Sequence, residues 1–231
     1  METKKYKLTE ETINVNGFIL HRIEALKDFS DVKKGDKGGF VEKERNLSQY
    51  DDCWIYENAM VYENAMVYSN AKVYGSANVL SNAKLFNSAK VYGNAMVYGN
   101  AKVYGIAEVY GNTLVRGCAE VCGAAVVSGN ARICSDARIF GDAVVCGSAE
   151  VHGSARICGD AVVCANTDYI VFKNWWSSGR CFTWTRSNNM WRVGCFYGTG
   201  KELIEKAYKD SELSGREYKR VVDYVELILK D

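Results

Sequence analysis

Four of the five tryptophans, Trp175, Trp176, Trp184 and Trp191, lie in one short stretch, with Arg180, Arg186 and Arg192 interleaved among them. Aromatic faces beside guanidinium groups suit a nucleotide: the ring stacks, and the guanidinium makes paired hydrogen bonds to phosphate oxygens. The same tryptophans would equally serve to pack a small domain, and both readings stay open at this stage. The nine cysteines are an odd number with no CxxC pair. They predict thiols that stay reduced, as in cytoplasm, and no metal site. The segment from Lys33 to Gly39 combines lysines with glycines but lacks P-loop spacing and a following helix, so it reads as an exposed loop.

Such residues need a frame, and the frame is a repeat. Counting in sixes from Ile55 meets a branched aliphatic residue every time, through Val61, Val67 and Val73 to Ile157 and Val163. Two residues before each stands a small one, alanine in nearly every case and Thr113 in one. Side chains two apart on a strand share a face, so the small and the aliphatic residue both point inward. The remaining pair, often Gly-Asn, Gly-Ser or Gly-Asp, makes a corner. A short strand and a corner every six residues give a three-sided coil of about 18 residues, stacked at about 4.8 Å. Proline, which deletes a ladder hydrogen bond, is absent.

Residues 18 apart then stack in columns on the outside. The first face carries Tyr56, Tyr74, Tyr92 and Tyr110, then becomes flat and apolar at Val126, Val144, Cys146, Val162 and Cys164. A solvated face would not be written this way, and these five predict an interface with another chain or domain. The second face runs Tyr62, Leu80, Tyr98, Arg116, Cys134 and His152. The third runs Tyr68, Phe86, Tyr104, Cys122, Phe140 and Cys158, beside Met66, Lys84, Lys102, Glu120, Arg138 and Arg156.

The ends differ from the repeat. Thr12–Val15 and Phe18–Ile23 flank Asn16-Gly17, a type I′ hairpin signal, and this module should cap the open end of the coils. After Val163, three short strands are expected at 169–172, 181–185 and 191–196. Capping boxes at Thr199–Glu202 and Ser214–Glu217 then open two helices. The predicted organisation is mainly β: a hairpin cap over 1–46, a repeat β-helix over 47–166, and an α+β appendage over 167–231.

Hydrophobic residues make up 48% and charged residues 25%, with 29 basic against 28 acidic side chains and a net charge of +1. That balance argues against bulk binding to nucleic acid or membrane, and no apolar run reaches signal-peptide or membrane-spanning length.

The hexad resembles the repeat of the left-handed β-helix hexapeptide family, an aliphatic residue followed four later by a small one, as in Val91-Tyr-Gly-Asn-Ala95. The Asn-Ala-x-Val-Tyr-Gly form is also similar to repeat proteins of phages and prophages. The resemblance implies left-handed winding and a homotrimer with clefts between prisms. Among hexapeptide acyltransferases it would make His152 a general base and Glu150 its orienting carboxylate, although the hexads here run without an inserted loop. The leading expectation is a non-catalytic binding protein with no cofactor. It would capture a small anionic or nucleotide-like ligand with the tryptophan and arginine set. In a phage setting that would be counter-defence in the host cytoplasm, by sequestering an immune signal. An acyltransferase using His152 and a self-assembling structural protein are the alternatives.

Overall fold

The structure, a computed structural model, describes residues 4–230; residues 1–3 and 231, the outermost ends of the expected cap and appendage, lie outside the described residues. The chain opens with β1 (Tyr6–Val15), β2 (Phe18–Ala25) and β3 (Lys37–Val41). Two-residue strands follow every six residues, from β4 (Trp54–Ile55) to β22 (Val162–Val163). Last come β23 (Tyr169–Lys173), β24 (Cys181–Thr185), β25 (Met190–Val193), β26 (Phe196–Gly198), α1 (Gly200–Asp210) and α2 (Glu212–Ile228). The protein is thus a parallel β-solenoid with an N-terminal antiparallel hairpin and a C-terminal α+β unit.

Every third repeat strand lies on the same face and pairs in parallel at a spacing of 18 residues, as in Val91↔Val109 and Val97↔Val115. The first face is a seven-stranded sheet, the third a six-stranded one, and the second continues into β1–β3 as a nine-stranded sheet. The inward alanines and aliphatics are buried throughout, with Ala59, Val61, Ala95, Val97, Ala155 and Ile157 all at 0% exposure. That is the expected narrow interior. Each aliphatic side chain removed from water stabilises the coil by about 1.5–3 kcal/mol, which a two-residue strand could not supply by hydrogen bonding alone.

In the corners the two residues divide the work. The first residue of each corner pair carries the positive φ, as in Gly93 (71°), Gly111 (79°), Glu57 (55°) and Ser81 (61°). The asparagine that follows bonds its counterpart one coil away and not its own backbone: Asn94 to Asn112 at 3.1 Å, and Asn112 to Asn130 at 3.1 Å. At Gly111 glycine is required twice over, because a Cβ would also lie 2.7 Å from the carbonyl oxygen of Gly129.

The two ends are closed by opposite chemistry. Within the solenoid, each coil donates N–H groups to carbonyls of the coil after it, as Met60 does to Ala77. The first coil therefore has free carbonyls. The cap meets them with donors: Phe40 N–H to Ala59 O (2.9 Å), Ser48 N–H to Val67 O (2.9 Å) and the Asn46 amide to Ala65 O (2.8 Å). The last coil has free N–H groups, and side-chain oxygens of the C-terminal unit accept from them. Glu150 N–H donates to Asn166 (2.7 Å), Arg156 N–H to Thr183 Oγ1 (2.9 Å), Val162 N–H to Ser187 Oγ (2.7 Å) and Cys164 N–H to Asp168 (2.8 Å). These bonds take up backbone groups that the first and last coils would otherwise leave open.

The cap corrects two expectations. Asn16 and Gly17 adopt the positive φ values of a type I′ turn, 52° and 92°, but Lys37–Gly39 is strand and not loop. Gly38 and Gly39 let β3 press on the first coil, where a Cβ would strike the carbonyls of Ile55 and Ala59. Trp54, at the outward position of β4, is nevertheless 1% exposed, with Tyr6 and Phe29 packed edge-on at 6.1 and 5.3 Å. Tyr62 is likewise covered, by Phe18 and Leu20 of the folded-over hairpin and by Phe40 of β3. In the C-terminal unit a fourth strand, β26, turns back at Gly194 (φ 56°) where one continuous strand was expected.

Candidate functional site

The outer side chains of the third face form a ladder. Tyr68, Phe86 and Tyr104 stack with centroids 5.1 and 4.8 Å apart and planes within 5° and 3°. Parallel in-register strands repeat the same side-chain direction on every coil, so stacking follows from placing aromatics 18 apart. The ladder is interrupted at Cys122 and resumes at Phe140. Beyond Phe140, β24 and β25 fold over the end of the face, anchored by the Arg156–Thr183 bond and by the Arg156 guanidinium donating to Gly194 O at 3.2 Å. This brings Arg192 onto the face, its guanidinium 5.3 Å from the centre of the Phe140 ring.

The result is a cleft of about 240 Å³ lined by Tyr104, Glu120, Cys122, Arg138, Phe140, Arg156 and Arg192. Three guanidinium groups face one carboxylate. Glu120 is already held by Lys102 at 3.1 Å and Arg138 at 3.4 Å. Arg192 Nε is buried without a hydrogen-bond partner, and a buried N–H left unpaired costs about 1–3 kcal/mol. Cys158, at 3% exposure, sits beside these arginines, and burial pushes its thiol up to about 11 although Arg192 and Arg156 pull the other way. The neighbouring Cys122 side chain, together with burial, raises the Tyr104 hydroxyl above its ordinary value. The cleft therefore offers positive charge and ring faces.

The residues expected to bind ligand do not converge on one point. Trp184 and Trp191 are cross-strand partners at 1% and 2% exposure, packed with Phe182, Leu203, Val222 and Val225, and Trp184 Nε1 donates to Asn189 at 2.8 Å. Trp176 is half-buried against Phe182 and Tyr218, with ring centres at 5.9 and 5.8 Å. Trp175 is 79% exposed. Arg180 lines a small recess of about 100 Å³ with Phe196 and Tyr218, and Arg186 is exposed on the turn after β24. Of that set, Arg192 alone reaches the third-face cleft. Arg138 and Arg156 were legible as column neighbours; their meeting with Arg192 depends on where the C-terminal unit docks.

His152 is exposed on the second face, and the Glu150 carboxylate lies 3.2 Å from Arg132, not on the imidazole. Among the five apolar residues of the first face, Val126, Val144, Cys146 and Cys164 are half-buried and Val162 is 42% exposed. Cys146 and Cys164, expected to stay reduced, are joined in a disulfide; neighbouring coils hold their Cα atoms 4.4 Å apart, within reach of such a bond. Among the described residues no three metal-ligating side chains converge, and no helix is long and apolar enough to cross a membrane.

Residues 89–105 match the family model described as the YdcK β-solenoid repeat. The chain is also similar to the protein called uncharacterized acetyltransferase YdcK of Escherichia coli (strain K12), at 37% identity over 62 residues. That match covers 23% of this chain and 19% of the relative, so the chain spans about a fifth of the relative's length. Small and aliphatic residues facing inward from three stacked sheets give this chain the fold of a hexapeptide-repeat parallel β-solenoid, the repeat type that the family model describes.

Proposed function

We propose that the protein is a non-catalytic binding scaffold that captures a small, phosphate-bearing, nucleotide-like ligand in the third-face cleft. The observation that carries this reading is the convergence of Arg138, Arg156 and Arg192 on one recess, with Arg192 Nε buried and unpaired. Guanidinium groups match phosphate oxygens in charge and in paired-bond geometry. Acyl transfer draws support only from the relative's name; here the carboxylate that would orient His152 is engaged by Arg132. Sequestering an immune signal in a phage-infected cell is one use of such a cleft, and it demands micromolar or tighter binding, about −8 kcal/mol. Assembly as a homotrimer through Val126, Val144 and Val162 belongs to the same proposal.

Calorimetric titration with inorganic pyrophosphate tests the anion site. Binding should weaken as salt rises, and Arg138→Ala, which removes an exposed side chain, should lower affinity at least about tenfold without changing the fold. Absence of binding at millimolar pyrophosphate in low salt would sink the reading.

A further inference from the structure

The third-face ladder is missing a rung. Tyr68, Phe86 and Tyr104 occupy three successive coils, Cys122 the fourth and Phe140 the fifth. Between Tyr104 and Phe140 lie two coil spacings, about 9.6 Å. The stacked pairs below show that one ring takes up one spacing, since their centroids are 5.1 and 4.8 Å apart. The interval over Cys122 thus has the height of a single further ring, and it coincides with the cleft of about 240 Å³. A cysteine leaves that space open, whereas the flanking tyrosine and phenylalanine supply its walls.

We infer that a planar heteroaromatic ring of the ligand inserts over Cys122 as the missing rung, between Tyr104 and Phe140, while its phosphates reach Arg138 and Arg156. The ligand class is then a nucleoside phosphate rather than a sugar phosphate or a free polyphosphate. Glu120, on the same strand as Cys122, supplies a carboxylate acceptor at the level of the ring. Rings recognised by stacking are accepted with little sequence preference, because every base has a π-face. This inference rests on the anion-binding reading above and adds the ring to it.

The test titrates the full-length protein with ADP, GDP, UDP and CDP alongside inorganic pyrophosphate. At least one nucleotide should bind about tenfold or more tighter than pyrophosphate, the lower range of the contribution of one stacked base. Cys122→Phe fills the rung with a side chain the ladder already accepts on both sides. That variant should keep or raise the melting temperature, retain pyrophosphate binding, and bind nucleotide no better than pyrophosphate. Cys122→Ser keeps the gap and should retain the nucleotide preference. In the unaltered protein, nucleotide should slow alkylation of Cys122 while leaving the exposed Cys118 and Cys195 unaffected, a readout that needs no variant to fold. Equal affinity for pyrophosphate and all four nucleotides, or an unchanged preference in a folded Cys122→Phe protein, overturns the ring seat while the anion site stands. Failure of every probe, pyrophosphate included, overturns both.

Discussion

Individual side chains in this protein answer to their place in the coil more than to their type. Ile139 lies at 0% exposure directly inside the strand that presents Arg138 and Phe140. Ile139→Ala should cost about 2–5 kcal/mol in urea unfolding, since close stacking above and below prevents the coil from collapsing into the cavity. Thiols sort in the same way. Cys158, with its thiol raised to about 11 and its surface covered, should resist iodoacetamide at pH 8 in the native state. The exposed Cys118 and Cys195 should be modified quickly, a difference that peptide mass spectrometry reads directly. The cysteines of this chain are thus not a uniform set, although in the sequence they look alike.

At the scale of elements, the end closures decide whether the solenoid is finite. Thr183→Val removes the oxygen that accepts from Arg156 N–H and leaves a strand edge unpaired. It should cost about 1–3 kcal/mol and promote end-to-end association, seen as a rise in light scattering. At the other end, the loop between β2 and β3 is tied to the first face. Lys72 lies 2.6 Å from Asp31 and, with Tyr56, holds its carboxyl down at about 2 against an ordinary 3.8. Because the folded pKa lies below the unfolded one, this stabilisation is complete above about pH 4 and disappears as pH falls through about 2. Asp31→Asn should lower the melting temperature by about 1–3 °C at pH 7, with the gap closing at pH 2. The hairpin turn and the start of the first helix were legible because Asn-Gly and Thr-x-x-Glu are local signals, whereas the second helix starts three residues before the expected Ser214–Glu217 box, with Ser211 as its cap. β3 and β26 were not, since their pairing is with distant strands and their sequences, Lys-Gly-Gly-Phe-Val and Phe-Tyr-Gly, carry no alternation.

For the whole molecule, the proposed trimer predicts light scattering at three times the 25.7 kDa chain mass. Val144→Asp with Val162→Asp, both on the outer surface of the first face, should return the single-chain mass without unfolding. An unaltered mass in the double variant would remove that interface. What the sequence alone determined is the solenoid, its three faces and the contents of every outer column. A strict six-residue period leaves no freedom in which side chains face inward or which stand 18 apart. What only the tertiary structure decided is the site. Tryptophans nominated for a ligand fill the core of the C-terminal unit, while Arg192 joins arginines that are some 36 to 54 positions earlier in the chain. The docking of that unit is set by hydrogen-bond demand at the last coil, and its own core by burial of Trp184 and Trp191. Both are long-range terms, and no local period encodes them.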